Sequence, residues 1–450
     1  MYRSFVLAIV ITFVAAFQAY AVESGAMPFA HGRLRVDKSQ RYLCHEDGTP
    51  FLYLGDTAWE LFARLTIDEA TTYLENRRLK GFSVIQAVIY TELDDTLPSI
   101  GVPQRVEGDI THIHPRYLQH IDSVIDIAAS KGLYIALVPT WGDKVDKQWG
   151  KGPVLFDASN AREYGRMLGK HYATRPNIIW VIGGDRGGEG SNKVVWSAMA
   201  EGIKEYDNNH LMTYHPHGEH SSSFWFHNEK WLDFNMFQSG HCQDSYEIYR
   251  RLLIPDYNRQ PVKPVMDGEP RYENIPYQFN PRNRRFDDYD VRKSLYQSML
   301  SGACGYTYGC NDIWQMYAPG YEAKCDANRY WYFSLDASGA SQLVFFRRLW
   351  LAFPFVGAVP LKDVIKPTCD YEGDAAVAFG NDTFILCYFP EGMMWQISLP
   401  DIWQGETYVL KWFSPVTGLV YEAGVDNRTH FEVNVPSADT HRDWVLIIKK

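Results

Sequence analysis

The sequence predicts a (β/α)8 TIM barrel followed by a C-terminal antiparallel β-sandwich. Between residues 50 and 315, eight short apolar segments alternate with helical patterns, and eight such strand-helix units close a barrel of this kind. From Val359 onward the pattern changes to short alternating segments separated by Gly, Asn, Asp and Pro, which is typical of an antiparallel sandwich. The 450 residues therefore divide into two folded domains.

The eight strand candidates are apolar on both faces, as expected of parallel strands that helices cover. Their polar C-terminal ends lie 24 to 49 residues apart, which leaves room for one helix and two loops in each interval. An open doubly wound sheet is the alternative, but the turn LGDTAWELF after the first strand lacks the GxGxxG signature of that fold. The strand ends are Asp56, Thr91, Thr140, Asp185, His215, Ser239, Glu269 and Gly309.

Helical patterns follow the strands, and two of them carry clear end signals. The segment TIDEATTYLENRRLKG opens with Thr66 and has Glu69 three residues later, which predicts a capping box. The segment HPRYLQHIDSVIDIAASKG opens at His114, and both segments end at glycine, a frequent helix terminator. A last helix, SQLVFFRRLWLAF, is predicted to complete the barrel before the sandwich begins.

The N-terminus has the features of a secretory signal. A basic residue in Met1-Tyr2-Arg3 precedes an apolar run from Phe5 to Phe17, and Ala19-Tyr20-Ala21 fits a small-x-small cleavage site. The run is shorter than the roughly 20 residues of a membrane span, although an uncleaved anchor is the alternative. We therefore expect an exported protein, periplasmic or extracellular, without a membrane span after signal removal. The predicted parts are a signal peptide at 1–21, a barrel at 22–355 and a sandwich at 356–450.

The composition excludes several classes of function. Hydrophobic residues make up 46% and charged residues 22%, which excludes a disordered, collagen-like or coiled-coil chain. The net charge is −10 and no basic block occurs, so nucleic-acid binding is not expected. The seven cysteines form no CxxC pair and no zinc spacing, although Cys304, Cys310 or Cys325 could form a disulfide. No metal and no cofactor are expected.

Two carboxylates stand out among the polar residues at the strand ends, where a barrel of this type places its active site. Asp185 follows an apolar strand in a Gly-Gly-Asp turn, and Glu269 ends PVMDGE. They lie on strands four and seven, which face each other across the barrel. Such a pair is what glycosidic bond hydrolysis requires: a protonated acid for the leaving oxygen, and a carboxylate that attacks the anomeric carbon or activates water.

Other interpretations of these carboxylates remain open at this point. Asp185 could pair with Arg186, and Glu269 with Arg271, as structural groups. Asp267 lies two residues before Glu269 on the same side of the strand and is a rival to it. His215 or His241 could join the carboxylates in a metal site, but no HExxH spacing supports one.

Aromatic residues make up 15% of the chain, and flat rings are the surfaces on which sugar rings stack. Trp59, Trp141, Trp225 and Trp314 fall on or near strand ends, whereas packing alone explains the other ten tryptophans, including Trp149. The predicted substrate-binding residues are Asp56, Trp59, Tyr90, Trp141, His215, Gln238, His241 and Trp314.

Five stretches of the chain carry a family resemblance: FLYLGDTAWELF, VIGGDRGG, PVMDGEPRYE, GYTYGCNDIW and WFSPVTG. In these stretches the sequence resembles secreted bacterial enzymes with a family-5-like glycoside hydrolase barrel and a β-sandwich labelled as collagen-binding, and most of all glycoside hydrolase family 140. The resemblance implies that Asp185 is the acid/base and Glu269 the nucleophile. Family-5 enzymes have Asn-Glu at strand four, whereas this chain has Gly-Asp, which fits the family-140 variant.

The sequence thus predicts an exported retaining glycosidase acting on an oligo- or polysaccharide. The resemblance further implies an endo-apiosidase that acts on side chains of the pectin rhamnogalacturonan II. A non-catalytic carbohydrate- or matrix-binding protein on a barrel scaffold is the alternative, because it would keep the aromatic platforms without needing both carboxylates. A collagen-directed hydrolase is suggested only by the label of the sandwich, and no protease motif supports it.

Overall fold

The structure, a computed structural model, describes residues 28–450 except 94–95, 98, 370–372 and 437–442. The predicted signal peptide at 1–21 lies outside the described residues. Across the described ranges, no helix has both the length and the apolar character needed to cross a bilayer.

Within the described residues, eight parallel strands form the barrel, and every predicted strand is present. Each one is buried along its whole length, which explains why the strand segments are apolar on both faces. The barrel strands are β1 (Tyr53–Thr57), β2 (Val84–Tyr90), β3 (Tyr134–Thr140), β4 (Ile178–Gly183), β5 (Met212–His215), β6 (Asn235–Gln238), β7 (Val265–Asp267) and β8 (Gly305–Tyr308).

Parallel ladders join seven of the eight neighbouring strand pairs, and β8 pairs with β1. Between β5 and β6 there is no strand ladder among the described residues, and two separate hydrogen bonds close the barrel there. The amide of Asp233 donates to the Met212 carbonyl at 2.8 Å, and the Thr213 hydroxyl donates to the Phe234 carbonyl at 2.7 Å. A short antiparallel strand, His220–Ser221, adds to the outer edge of β6. The barrel fold predicted from the strand spacing is therefore confirmed.

Helices cover the outside of the barrel, and their caps follow the sequence signals. Thr66 and Glu69 form the predicted capping box, and Asp157 and Asp287 cap two further helices in the same way. The longer helices are α1 (Ile67–Leu79), α2 (Pro115–Ser130), α3 (Ala158–Tyr172), α4 (Gly190–Lys204), α5 (Glu247–Arg251), α6 (Leu253–Tyr257), α7 (Asp288–Leu300) and α8 (Ser338–Leu351). Short helical turns lie at Leu61–Arg64, Gly142–Lys144, Ser223–Phe226, Tyr277–Phe279, Asn311–Trp314 and Trp331–Phe333.

A small N-terminal sheet covers the end of the barrel where the strands begin. The rings of Phe29 and Phe51 pack against Tyr134, the first residue of β3, at centroid distances of 5.1 and 5.2 Å. This sheet consists of Leu34–Val36, Leu43–His45 and Pro50–Phe51. The loop after β2 carries two small hairpins, made of Thr96–Leu97 with Val102–Pro103 and of Arg105–Val106 with Asp109–Ile113.

The C-terminal part consists of two antiparallel sheets with a shared apolar core. Trp395 and Phe431 of the smaller sheet pack with Ile385, Cys387 and Leu446 of the larger one. The larger sheet runs in the order Val359–Pro360, Val377–Gly380, Phe384–Phe389, Trp444–Lys449, Tyr408–Phe413 and Val420–Asp426, and the smaller in the order Ile365–Pro367, Met394–Ser398 and His430–Asn434. A turn, Asp401–Trp403, joins the two sheets.

The larger sheet packs against α7 and α8 of the barrel. Tyr296 of α7 stacks on Tyr388 with ring centroids 4.9 Å apart. The guanidinium of Arg292 lies 3.0 Å from the carboxylate of Asp443, and both side chains are almost fully buried. The Tyr388 hydroxyl donates a second hydrogen bond to Asp443 at 3.1 Å. One apolar core therefore continues from the barrel into the sandwich, which braces the side of the barrel.

All seven cysteines are free thiols, so none of the disulfides considered from the sequence is formed. Four of them are buried, and Cys242 and Cys325 are half-buried. Packing explains the buried thiols, since a free cysteine behaves as a small apolar side chain.

Candidate active site

Asp185 occupies a turn that only glycines and a tolerant residue can form. Gly183, the last residue of β4, and Gly184, which follows it, have φ angles of 98° and 131°, and Asp185 itself has a φ of 62°. Asp is one of the few residues with a side chain that adopt this left-handed region. The chain therefore turns sharply at the end of the strand and directs the carboxyl group of Asp185 into the barrel mouth.

The same turn lies against the loop that follows β3. The amide of Gly142 donates to the carbonyl of Gly184 at 2.9 Å. A Cβ atom at Gly142 would lie 2.1 Å from that carbonyl oxygen, so a side chain at this position cannot be accommodated. This close approach fixes the position of the Asp185 turn relative to β3.

Arg186 follows Asp185 but does not pair with its carboxylate. Its guanidinium donates to the carbonyl oxygens of Asp146, Lys147 and Asp185 at 2.6, 2.8 and 2.9 Å, and it stacks over the ring of Trp149. Arg186 thus ties the turn to the loop after β3. The carboxylate oxygen Oδ1 of Asp185 is shielded from solvent and accepts no hydrogen bond from any residue that the structure describes.

Glu269 lies at the end of β7 between two imidazoles. Nε2 of His215 is 3.1 Å from Oε2 of Glu269, and Nε2 of His241 is 3.1 Å from Oε1. The neighbouring Arg271 points away and donates to the carbonyls of Gln243 and Ser245 and to the Ser294 hydroxyl. Neither arginine pairing that the sequence left open is therefore present.

The two carboxyl groups lie close together and ionise differently. One oxygen of Asp185, one of Glu269 and a nitrogen of His215 all lie within 4.8 Å of one another. Burial and the nearby Glu269 charge raise the pKa of Asp185 to about 6. Burial also raises the pKa of Glu269, but the imidazoles of His215 and His241 outweigh it and hold this pKa at about 2. Near pH 5 the site therefore contains a protonated Asp185 and an ionised Glu269.

The same three groups offer a donor set for a cation, because two carboxylates and one imidazole converge there. Among the described residues they are the one such cluster of three or more. His241 occupies the other oxygen of Glu269, so a cation would have to share this carboxylate with an imidazole.

A cavity of about 660 Å³ opens above these carboxyl groups. Its wall is mainly apolar and aromatic, with a few convergent polar groups, which is the usual form of a small-molecule site. The rings of Trp59 and Trp141 lie 5.1 Å apart on one side, and Trp314 lies on the wall as well. Such a wall can hold sugar rings by stacking while the carboxyl groups reach the bond between them.

Most of the predicted substrate-binding residues meet at this cavity. Gln238 and His241 line it together with the three tryptophans, and Gln238 also lowers the pKa of Asp185 through a side-chain hydrogen bond. His215 lies behind Glu269, fully buried, and contacts the ring of Trp59 at 5.3 Å. These residues lie at or after the ends of five different strands, so the barrel brings them together.

Two further predicted residues, besides His215, do not line the cavity. Asp56 is fully buried, where Tyr73 and Arg77 of α1 donate to its carboxylate. Tyr90 is fully buried and stacks on Tyr164 with ring centroids 5.0 Å apart. Both side chains point outward from the barrel toward the helices, so they pack there and do not line the substrate cavity.

Asp267, the rival of Glu269, is also placed outside the cavity wall. It is fully buried and accepts hydrogen bonds from the hydroxyl and the amide of Ser239 at 2.7 and 3.3 Å. Burial raises its pKa to about 7. A carboxyl group enclosed in this way holds β6 against β7.

Several cavity residues had no role in the sequence-based prediction. Trp149, expected to need only packing, is 61% exposed and lines the cavity. Burial, followed by the charges of Asp143 and Asp185, raises the pKa of Glu92 to about 7. The position of Glu92 just after β2 was a usable signal, whereas other cavity residues come from long loops without strand-end signals, among them Lys151, Tyr272, Phe279, Lys324 and Cys325.

Comparisons with known proteins agree with this geometry. A family model described as "Apiosidase-like, catalytic domain" matches residues 37–357, and one described as "Putative collagen-binding domain of a collagenase" matches residues 359–449. No curated protein matches. A solved structure titled "Glycoside hydrolase" is 34% identical with a TM-score of 0.86, and the match covers 95% of this chain and 99% of that one.

A family-5 glycoside hydrolase from Bacteroides vulgatus is 33% identical with a TM-score of 0.88, and the match covers 94% of this chain and 95% of that one. A third structure, described as a glycoside hydrolase from the same organism, is 17% identical and supports the fold alone. The first family model spans more than two thirds of the chain. The chain therefore belongs to the apiosidase-like family and is a glycoside hydrolase in family and fold.

Proposed function

We propose that this protein is an exported, retaining glycosidase that cleaves a bond in a pectic polysaccharide, specifically an endo-apiosidase acting on rhamnogalacturonan II side chains. The observation that carries the proposal is the pair formed by Asp185 and Glu269, one protonated and one ionised, beneath an aromatic cavity. The apiosidase-like family supports the choice of sugar. The apolar N-terminal segment supports export.

In this proposal Glu269 attacks the anomeric carbon while Asp185 gives its proton to the departing glycosidic oxygen. The carbon-oxygen bond to the leaving sugar breaks as the ester bond to Glu269 forms. Asp185, now ionised, then takes a proton from water, the water oxygen attacks the same carbon, and Glu269 is released as a carboxylate. His215 and His241 hold Glu269 in position and stabilise its negative charge before attack.

The separation of the carboxyl groups supports retention over inversion. Retaining enzymes keep them about 5 to 5.5 Å apart, whereas inverting enzymes leave about 6.5 to 9.5 Å for a water molecule. Oxygens of Asp185 and Glu269 lie within 4.8 Å of each other. This closest approach fits the shorter carboxyl separation of retaining enzymes better than the wider one of inverting enzymes.

The decisive experiment is a screen of pectic oligosaccharides, including an apiose-bearing fragment of rhamnogalacturonan II, for sugars released by the purified protein. Proton NMR of the first product then reports its anomeric configuration, and retention is the expected result. Release from apiose-free fragments alone would overturn the assigned sugar, and an inverted product would overturn double displacement.

Two controls separate glycosidase action from the other interpretations of the site. Activity should persist in excess EDTA, whereas its loss, restored by added cations, would assign the cluster of Asp185, His215 and Glu269 to a metal. Tight glycan binding without turnover of any fragment would favour the non-catalytic binding protein.

A further inference from the structure

A group of rings at the edge of the cavity forms a feature that the reaction above does not use. It consists of His217, His220, Phe224 and Trp225, which we call the aromatic shelf. The rings of His217 and His220 have centroids 3.7 Å apart, and His220 lies parallel to Trp225 at 5.8 Å with an interplanar angle of 10°. Phe224 lies 5.9 Å from Trp225 and is 49% exposed, so the shelf ends in an accessible ring.

The shelf continues directly from the cavity. His217 lines the cavity wall, as do Gly218 and Glu219, which follow it in the chain. The other rings extend from His217 along the loop after β5 and into the short helix Ser223–Phe226. A ligand that leaves the cavity on this side therefore meets aromatic side chains.

The shelf lies on the Asp185 side of the carboxyl pair. Gly188, three residues after Asp185, packs on it so closely that a Cβ atom there would lie 2.8 Å from Cβ of Trp225 and 2.4 Å from the Phe226 ring. The second pair of glycines in GGDRGGEG thus lets the Asp185 loop rest against the shelf. In the proposed reaction Asp185 protonates the leaving oxygen, so the sugar that departs extends toward this side.

The four side chains of the shelf are aromatic and include no lysine, arginine or carboxylate. Nδ1 of His220 donates to the Gly218 carbonyl at 2.8 Å, which fixes the orientation of that ring. Burial and the proximity of His220 lower the pKa of His217, against a smaller opposing effect of Glu189. The carboxylate of Glu219 is paired with Arg251 at 2.8 Å. A neutral sugar ring suits this surface better than an acidic one.

We propose that the aromatic shelf is a second sugar-binding subsite, which holds a neutral sugar ring on the leaving-group side of the cleaved bond. The inference rests on the proposed function for its direction, because Asp185 defines the leaving side. Stacking on the shelf would add affinity for a long substrate without touching the reacting atoms. The enzyme would accordingly favour cuts within a chain over cuts next to a small leaving group.

The test compares a long and a short substrate in shelf variants. Phe224→Ala and Trp225→Ala should raise KM about two- to tenfold for an apiose-containing oligosaccharide with at least two leaving-side sugars, which is what one ring contact contributes. Kinetics on para-nitrophenyl apioside should stay unchanged, because it has no sugar to reach the shelf. Trp225→Phe should restore most of the affinity. Phe224 is half exposed, so its variant keeps the test valid if Trp225→Ala fails to fold.

Phe333→Ala is the matched control, since this ring is 71% exposed and lies on the loop after β8. It should leave both substrates unaffected. Equal KM changes on long and short substrates, or none on either, would overturn the subsite. If the wild type cleaves no oligosaccharide, the proposed function fails instead. Calorimetric titration of the same oligosaccharide into wild type and Phe224→Ala then tests the shelf alone, and equal affinities would overturn it.

Discussion

Two buried carboxylates at strand ends differ in their partners. Asp56, at the end of β1, is held by Arg77 and by the Tyr73 hydroxyl, and its environment is closed. Glu269, at the end of β7, is held by the two imidazoles of His215 and His241 and faces a cavity. Both carboxylates lie at strand ends, so this position alone does not separate a structural carboxylate from a reactive one. The bonding partners of the carboxylate and its access to a cavity do.

Replacing Glu269, the carboxylate that faces the cavity, should have the strongest effect on catalysis. Glu269→Gln should lower kcat by at least about ten-thousandfold, because the amide cannot form the ester intermediate. Circular dichroism should show an unchanged fold, and kcat on the pectic fragment gives the measurement. Asp267→Asn is the matched control, being a buried carboxylate two residues away that lies outside the cavity wall. If Asp267→Asn abolishes turnover while Glu269→Gln retains it, the assignment of the nucleophile is wrong.

Next in size is the effect of removing the acid. Asp185→Ala should lower kcat/KM for the natural fragment by about 10²- to 10⁴-fold, the usual contribution of a general acid. An aryl glycoside with a good leaving group should lose much less, since its departure needs little protonation. Parallel kinetics on the two substrates measure the difference. Equal losses on both would contradict the role of Asp185 as the acid.

Replacing Asp56, the enclosed carboxylate, should change the stability of the protein and not its catalytic rate. Asp56→Asn should destabilise the protein by about 3 to 5 kcal/mol, because Arg77 would remain buried without its counter-charge. Urea unfolding followed by fluorescence measures this loss, and kcat of the folded enzyme should be unchanged. The double variant Asp56→Leu/Arg77→Met should recover much of the stability. A kcat loss in Asp56→Asn at full stability would return Asp56 to the substrate site.

The smallest effect is a change in the pH profile. The reaction needs Glu269 ionised and Asp185 protonated, so kcat/KM should fall as pH rises through about 6, the pKa of Asp185, and as it falls toward about 2, the pKa of Glu269. Glu92 in the same cavity has its pKa raised to about 7. Because Asp185 is expected to set the fall in kcat/KM at rising pH, Glu92→Gln should leave this alkaline limb of the profile at the same pH. If the limb instead moves upward in that variant, Glu92 controls it.

The sequence predicted the barrel and its central pair for reasons of geometry. Eight apolar strands can close in few ways, and closure places the ends of β4 and β7 opposite each other. Asp185 and Glu269 therefore had to meet at the mouth, whatever the details of the loops. His215, Gln238 and His241 follow from the same rule, because each comes at the end of a strand between these two.

The rest of the site depends on contacts that strand spacing does not encode. Asp56 looked like a mouth residue, but Arg77, 21 residues later on α1, encloses it. Tyr90 likewise turns toward α3 and packs on Tyr164. Trp149, Phe279 and Lys324 reach the cavity because the loops after β3, β7 and β8 fold back over the mouth, and the paths of such loops are set by tertiary contacts rather than by periodicity.

Under the proposed mechanism, the short distance between Asp185 and Glu269 links the proton affinity of Asp185 to the charge of Glu269. Part of the proton affinity of Asp185 comes from the negative charge of Glu269 within 4.8 Å. When Glu269 becomes an ester that charge disappears, and the pKa of Asp185 falls just when Asp185 must stop being an acid and accept a proton from water. Each covalent step thus resets the proton affinity needed for the next, so one carboxyl group can serve both halves of the proposed cycle.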